Sequence, residues 1–420
     1  MTGQELPRIV TAVPGPRSRA LAQRLAAVEN PEVTCLAEPP PIFWSRGTGV
    51  NVLDADGNRY VDLLAGFGAA VLGYAHPELT AALAAQAGEL QHAMGDVYPA
   101  VCKVELLEAL VRVLPGGLGG VILSSSGSDA VESALKTALV ATGRPGVVAF
   151  EGAYHGLGLG ALDATHRAEF RAVFVARLAG HTRFVPWGDA EAARRAARES
   201  DAGAILFEPI QGRGGLVFPP TGFVAALREI ADETGALLIA DEVYTGMGRT
   251  GRWLACEHEG VVPDVVALGK ALGGGLPLSA CAGRPEVMQH WPASRGEALH
   301  TSTHLGNPVV CAAGLAVLRV LERDSLVKRA EEVGARWLAR LRSVLARSPH
   351  VRDVRGRGLL LAVELDDASF SRASVARLLR AGWITLGEGA DGRTLALTPP
   401  LVIAESLLDA AAERLSELLA

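Results

Sequence analysis

Two residues in the middle of the chain have the types and the setting for amine chemistry. Asp241 ends the apolar run ALLIAD. Lys270 follows VVALG and precedes Ala271, Leu272 and three glycines, Gly273 to Gly275. Leu237, Leu238 and Ile239 read as a strand buried on both faces. Asp241 and its neighbour Glu242 then fall at that strand's carboxyl end, where open α/β sheets bind ligands. A carboxylate there is costly to desolvate unless a positive partner meets it. A lysine in apolar, backbone-dense surroundings has its pKa lowered and its amine freed to attack a carbonyl. Read as a pair, Lys270 carries an aldehyde cofactor as a Schiff base, and Asp241 keeps that cofactor's ring nitrogen protonated. Taken singly, Asp241 also reads as a helix cap or ion-pair partner, and Lys270 as a surface charge.

Four further segments supply what such a cofactor needs. VILSSSGSDAVESALK, residues 121–136, reads as strand, small-residue turn and helix, with Asp129 and Glu132 spaced as a capping box. Ser126, Gly127 and Ser128 set backbone N–H groups and hydroxyls at the helix N-terminus, which is an anion site or simply a well-capped turn. FEGAYHG sets Tyr154 and His155 after another strand, where an aromatic ring stacks on a flat ligand or closes the core edge. LFEPIQGRGG puts Glu208 at a strand end and Gln211 in the loop beyond, both able to face one ligand. HTSTHLGNPVV places Thr303 ahead of Asn307 and Pro308, which read as a helix start. Amine, ring partner, anion turn and stacking aromatic are thus all expected at the strand ends of one sheet.

A competing pattern lies at Gly246-Met247-Gly248-Arg249-Thr250-Gly251, which fits GxGxxG. A dinucleotide site needs a helix opening at those glycines, and RWLACEHEGVVPD follows without amphipathic periodicity. No P-loop sequence occurs, which sets aside a nucleotide triphosphate.

These residues need a scaffold, and the chain supplies one of the α/β class. VILSSS, GVVAF, AILFEPI, ALLIADEV and VVAL are short apolar strands separated by helical stretches, the alternation of a mostly parallel sheet flanked by helices. Ahead of them come a helix near Ser18–Val28 and a hairpin turning at Asp54 to Gly57. After Asn307 the chain is helical through Arg347. It ends with strand, helix, strand (WITLGEG), strand and a last helix over Glu405–Leu419. The division expected is a large cofactor-binding domain at 77–314, and a smaller α+β domain from both chain ends, 1–76 and 315–420.

Composition narrows the class. The 420 residues are 49% hydrophobic and 20% charged with net charge −6, so nucleic acid is not an expected partner. Cys35, Cys102, Cys256, Cys281 and Cys311 are scattered without CxxC, which fits no metal site or disulfide framework and suits a reducing compartment. No apolar run has membrane-spanning length and the first residues lack a signal-peptide core. A cytoplasmic enzyme is expected.

The motifs in order, SGSDA, YHG, EPIQG, DEV-TG-GRTG, the GK before the glycines and T-x-x-x-NP, resemble the class III aminotransferases, pyridoxal 5'-phosphate enzymes of fold type I. The resemblance runs from about Gly47 to Leu401. It implies that Lys270 binds the cofactor and shuttles the proton, Asp241 holds the pyridinium, Val243 packs under the ring and Tyr154 over it. It implies phosphate binding by Gly127 and Ser128, with Thr303 contributing from the neighbouring subunit of a homodimer. Ser126, His155 and Glu208 complete the expected cofactor shell.

Departures from the family pattern bear on substrate. Many relatives carry a carboxylate-binding arginine where this chain has Ala396 in TLALTPPL, and Arg393 points to the other face of a strand. Glu208 therefore lacks its expected partner and is free to receive a substrate ammonium. Arg213, where relatives often have glutamate, is a second source of charge. Tyr244 replaces a frequent glutamine and Tyr74 a frequent histidine. The function implied is transfer of an amino group from a terminal amine or ω-amino acid (a diamine, 4-aminobutyrate or an ornithine-like donor) to a 2-oxo acid. The alternative is a racemase or aminomutase of the same fold.

Overall fold

The computed structural model describes residues 2–420. Strands β1 (Trp44–Thr48), β2 (Asn51–Asp54) and β3 (Arg59–Asp62) form an antiparallel meander. The β2–β3 turn is closed by Asp54, whose carboxylate accepts from the backbone N–H of Asp56 at 2.9 Å and Asn58 at 2.8 Å. Gly57 takes φ 89° there, a left-handed conformation that suits glycine.

Seven strands form the central sheet: β4 (Gly120–Ser124), β5 (Gly146–Phe150), β6 (Thr182–Val185), β7 (Ala202–Phe207), β8 (Leu237–Asp241), β9 (Val265–Leu268) and β10 (Ser279–Gly283). Their order is β4-β10-β9-β8-β7-β5-β6. Only β10 runs antiparallel to its neighbours, so the other six strands point one way and their carboxyl ends share one edge.

Both faces of this sheet are apolar, and alternation decides which residue goes where. Val148, Phe150, Ile205, Phe207, Leu238 and Ala240 pack on one face; Ala149, Ala204, Leu206 and Ile239 pack on the other. Phe150 and Phe207 are fully buried, and each contributes roughly 1.5–3 kcal/mol by leaving water. The helix Gly127–Thr142 lies on the second face through Ala130, Ala134 and Ala138, whose small side chains bring its axis close to the strands. The helices Ala190–Glu199 and Phe223–Thr234 cover the first.

The C-terminal strands are β11 (Val351–Arg357), β12 (Leu360–Leu365), β13 (Trp383–Ile384), β14 (Leu386–Glu388) and β15 (Thr394–Leu397). Four of them form an antiparallel sheet, ordered β11-β12-β15-β14. WITLGEG, which reads as one strand, instead divides at Thr385 between two sheets. Trp383 and Ile384 pair in parallel with Val61 and Asp62 of β3, while Leu386 to Glu388 pair with β15. The Thr385 hydroxyl holds the junction, donating to the Ala396 carbonyl at 2.7 Å.

Three strands, β6, β10 and β11, lie outside the runs read from the sequence. SACAG forms β10 although its small residues lack strand propensity; pairing with both β4 and β9 overrides that weakness. TRFV forms β6 at the sheet edge. The first helix spans Pro16–Ala26, starting where Pro16 supplies a preset φ rather than at Ser18.

Candidate active site

Asp241 is the last residue of β8, and Lys270 stands just past the end of β9, the adjacent strand. Glu208 follows β7 and Tyr154 and His155 follow β5, while Gly127 and Ser128 lie beyond β4. All of these, with Val243, Arg213 and Tyr244, line one cavity of about 360 Å³ at the carboxyl edge of the sheet. The parallel direction of these strands is what gathers residues from distant parts of the sequence.

Lys270 has φ 41°, a left-handed conformation that costs a non-glycine residue roughly 1–2 kcal/mol. Such strain is typical of sites whose surroundings dictate the backbone. Its Nζ stands 4.8 Å from the centre of the Tyr244 ring. Burial pulls the amine below the usual lysine range, while the Asp241 and Glu208 carboxylates pull it back. The result is an amine that sheds its proton more readily than a surface lysine.

Asp241 is held from two sides. His155 Nδ1 lies 2.8 Å from one carboxylate oxygen, and the Val243 N–H donates to the other at 3.1 Å. His155 is itself fixed by its backbone N–H, which donates to Thr165 Oγ1 at 2.9 Å. A carboxylate has about four acceptor positions, so capacity remains for one more donor facing the cavity. Glu242, next in sequence, turns away: it accepts from the Thr245 hydroxyl and, at 2.9 Å, from the Cys256 N–H.

Glu208 accepts two backbone N–H groups, from Tyr154 and from Gly212, each at 2.9 Å. Burial nevertheless pushes its carboxyl up to about 7, with His155 opposing and Asp241 adding to the rise. Gln211 does not face the cavity. Its amide donates to the Glu151 carbonyl at 2.8 Å and so ties the loop to the end of β5.

The turn before the Gly127–Thr142 helix is capped by Ser126, whose hydroxyl accepts from the Asp129 N–H at 3.2 Å. The capping box expected of Asp129 and Glu132 does not form, because Glu132 reaches across to the N–H groups of Gly160 and Ala161 at 2.6 and 3.1 Å. Ser128 Oγ accepts from Gly158 N–H at 2.9 Å. A Cβ at Gly127 would stand 2.7 Å from Val243 Cγ1, so the first turn of the helix approaches the cavity only because that residue is glycine. Ser126 itself lies outside the cavity lining, and so does Thr303, which is exposed.

This donor set fits an aldehyde cofactor with a protonated ring nitrogen and an anionic tail. The amine has a lowered pKa, the fixed carboxylate has spare capacity, and a helix of 16 residues presents its first N–H groups to the same space.

Three neighbours of the site are not evident from sequence. Ala65, Gly66, Phe67 and Gly68 have φ of 49°, 54°, 60° and 81°, one continuous left-handed turn. The Asp62 carboxylate secures it by accepting from Leu64 and Gly66 N–H at 2.8 and 2.9 Å, and it takes the Tyr74 hydroxyl at 2.5 Å. Gly68 presses on Tyr244, where a Cβ would stand 2.7 Å from Cε2. Phe67 and Phe170 flank the Arg213 guanidinium at 5.8 and 6.0 Å, and Tyr154 does so at 5.3 Å. Glu388, at the end of β14, is buried beside Arg213.

Ala396 is fully buried in β15 between Leu386 and Ala362. Arg393 pairs with Asp391 at 2.6 Å on the surface and takes no part in the cavity. The GxGxxG segment is a run of turns with no α-helix opening at its glycines; a single 3-10 turn, Ala255–Glu259, follows. Arg249 in its middle is fully buried and donates to the carbonyls of Leu359, at 3.1 Å, and Pro399. Its role is to join the central sheet to the C-terminal one.

Comparison with known proteins agrees with this geometry. Residues 35–419 match the family described as aminotransferase class-III. The chain is 38% identical over 377 residues to the acetylornithine aminotransferase of Methanosarcina acetivorans, covering 90% of this chain and 91% of that protein. It is 41% identical over 329 residues to the LysW-aminoadipate semialdehyde transaminase of Deinococcus radiodurans, covering 78% of this chain and 75% of that one. Among solved structures, the ornithine aminotransferase of Toxoplasma gondii superposes with TM-score 0.87 at 31% identity, over 95% of this chain and 93% of that one. PLP occupies the active site of that structure in part.

Proposed function

The chain belongs to the class III aminotransferases, and we propose that its amine donor is a diamine or ω-amino acid and its acceptor a 2-oxo acid. Pyridoxal 5'-phosphate is its cofactor, in the fold type I architecture. When bound, that group acts as an electron sink for negative charge left on the amine carbon once its proton departs.

Each protein group has a distinct task in this reading. Lys270 holds the cofactor through its amine and then, freed, takes and returns the proton of the amine carbon. Asp241, positioned by His155, keeps the ring nitrogen charged. Gly127 and Ser128 receive the phosphate at the helix N-terminus, with Ser126 shaping the turn, and Val243 and Tyr154 bound the ring on its two faces. Glu208 accepts a second, distal ammonium of the donor. Thr303, exposed on its own subunit, completes the phosphate site of the partner in a homodimer. Met94, Val97, Tyr98 and Val101 expose apolar side chains on one short stretch, which supports such an interface. Residues 77–314 form the cofactor domain in this reading; 1–76 and 315–420 form the small domain, as the β3–β13 pairing suggests. A cytoplasmic location belongs to the same proposal and is supported by five free cysteines. Among the described residues no helix is long and apolar enough to cross a membrane.

The observation that carries the reading is the placement of Lys270 and Asp241 on adjacent strand ends of one cavity. The experiment is amino transfer from putrescine, ornithine and 4-aminobutyrate to 2-oxoglutarate, followed as glutamate formed, with the visible spectrum read in parallel. One donor is expected to support turnover, and Lys270→Ala to abolish it. Turnover retained in Lys270→Ala would sink the assignment. The relatives named above are transaminases, so the racemase or aminomutase alternative is not favoured.

A further inference from the structure

Among the described residues two cationic head groups reach the cavity, on Lys270 and Arg213. Lys270 is committed to the cofactor in the proposed reaction, so a substrate carboxylate has one other cation to meet. Among the described residues Arg213 donates no hydrogen bond, and its buried Nε is without a partner. The nearest acceptor is Glu388 Oε2 at 3.8 Å, outside hydrogen-bond reach. A guanidinium has five N–H donors in a rigid fork, so an unbonded one at a cavity wall is poised for an incoming anion.

Its surroundings fix where the fork can go. Tyr154, Phe67 and Phe170 stand around it at 5.3, 5.8 and 6.0 Å, and aromatic faces hold a guanidinium without using its N–H groups. Glu208 forms no ion pair with Arg213 among the described residues; its two oxygens are turned to the Tyr154 and Gly212 N–H groups. Glu388 is buried and its carboxylate makes no hydrogen bond among the described residues; its nearest ion-pair partner is Arg213. At Ala396 there is no charge and no room, since that residue is sealed between two strands.

We infer that Arg213 is the carboxylate anchor for the 2-oxo acid acceptor and that Glu388 is the resting partner it leaves when the acid enters. Resting on the transaminase reading above, this adds which residue selects an acid over a neutral carbonyl. Glu388 has two consequences. It keeps Arg213 neutralised between acids, and it competes with them, so its removal tightens acid binding.

The test is binding and kinetics of the holoenzyme with Arg213→Gln, Arg213→Lys and Glu388→Gln. Glutarate, an unreactive dicarboxylate, is titrated calorimetrically into each. Arg213→Gln is expected to weaken glutarate about 10- to 150-fold, the range of a lost charged hydrogen bond. Arg213→Lys restores part of the loss, and Glu388→Gln tightens glutarate several-fold. In turnover, Arg213→Gln lowers the preference in kcat/KM for 2-oxoglutarate over butanal at least tenfold, mainly through KM. Glutarate affinity within twofold of wild type in Arg213→Gln, or equal losses toward acid and aldehyde, would overturn the assignment. Failure of the transaminase reading shows differently, as a wild-type protein with no amino transfer to either acceptor, while the glutarate titration still reports on Arg213.

Discussion

Glu208 offers a test in which the sign and size of an effect both follow from the site. Burial raises its carboxyl from an ordinary 4.5 to about 7. A carboxyl whose pKa rises on folding binds its proton more tightly in the folded state. Its contribution to stability is therefore full below about pH 4.5 and is lost as pH climbs through about 7. The shift corresponds to about 3 kcal/mol between those limits. An entropy of unfolding near 2.1 cal/mol/K per residue gives roughly 0.9 kcal/mol/K for this chain, so the change is about 3 °C in Tm. The perturbation is Glu208→Gln in the cofactor-free protein. The amide accepts from one of the Tyr154 and Gly212 N–H groups and opposes the other, a penalty of about 1–3 kcal/mol that does not vary with pH. The assay is Tm of wild type minus Tm of variant, measured from pH 5 to pH 8, where titrations elsewhere cancel. Wild type is expected to lead most at pH 5 and to give up about 3 °C of that lead by pH 8. A difference flat to within 1 °C, or one that grows with pH, would refute the view that burial governs this carboxyl.

Two other substitutions probe the scaffold around the site. Gly127→Ala puts a methyl 2.7 Å from Val243 Cγ1, an overpacking of about 1–3 kcal/mol, so pyridoxal phosphate titration should show weaker binding with the sheet's circular dichroism unchanged. Arg249→Ala removes the buried link to the Leu359 and Pro399 carbonyls and leaves a void, with an expected loss of about 3–5 kcal/mol; thermal unfolding should show Tm lowered by several degrees.

What could be read before any coordinates depended on range along the chain. Asp241, Val243 and Lys270 sit at the ends of β8 and β9, and apolar runs locate such ends directly. Gly127 and Ser128 were visible for the same reason, as a turn between a strand and an alternating helix. The direction of Gln211 is not legible, because a residue in a loop has no periodicity to fix it; its contact with Glu151 decides that. Glu132 has the spacing of a cap, but the N–H groups it satisfies belong to Gly160 and Ala161, distant in sequence. Glu388 was invisible for a third reason. It reaches Arg213 only through the split of WITLGEG between two sheets, and no local pattern encodes that switch.

The left-handed turn at Ala65 to Gly68 has a thermodynamic consequence for affinity. Two of its four residues carry a Cβ, so the turn stores roughly 2–4 kcal/mol that the Asp62 carboxylate and the contact of Gly68 with Tyr244 offset. Tyr244 in turn faces the Lys270 amine. A ligand that binds only when this turn is formed is linked to it reciprocally: steadying the turn tightens that ligand, and the ligand steadies the turn. The hydrogen bond from Tyr74 to Asp62, at the end of β3 and outside the cavity lining, is thus expected to affect how firmly the cavity holds its contents, and Tyr74→Phe should weaken pyridoxal phosphate binding in a titration.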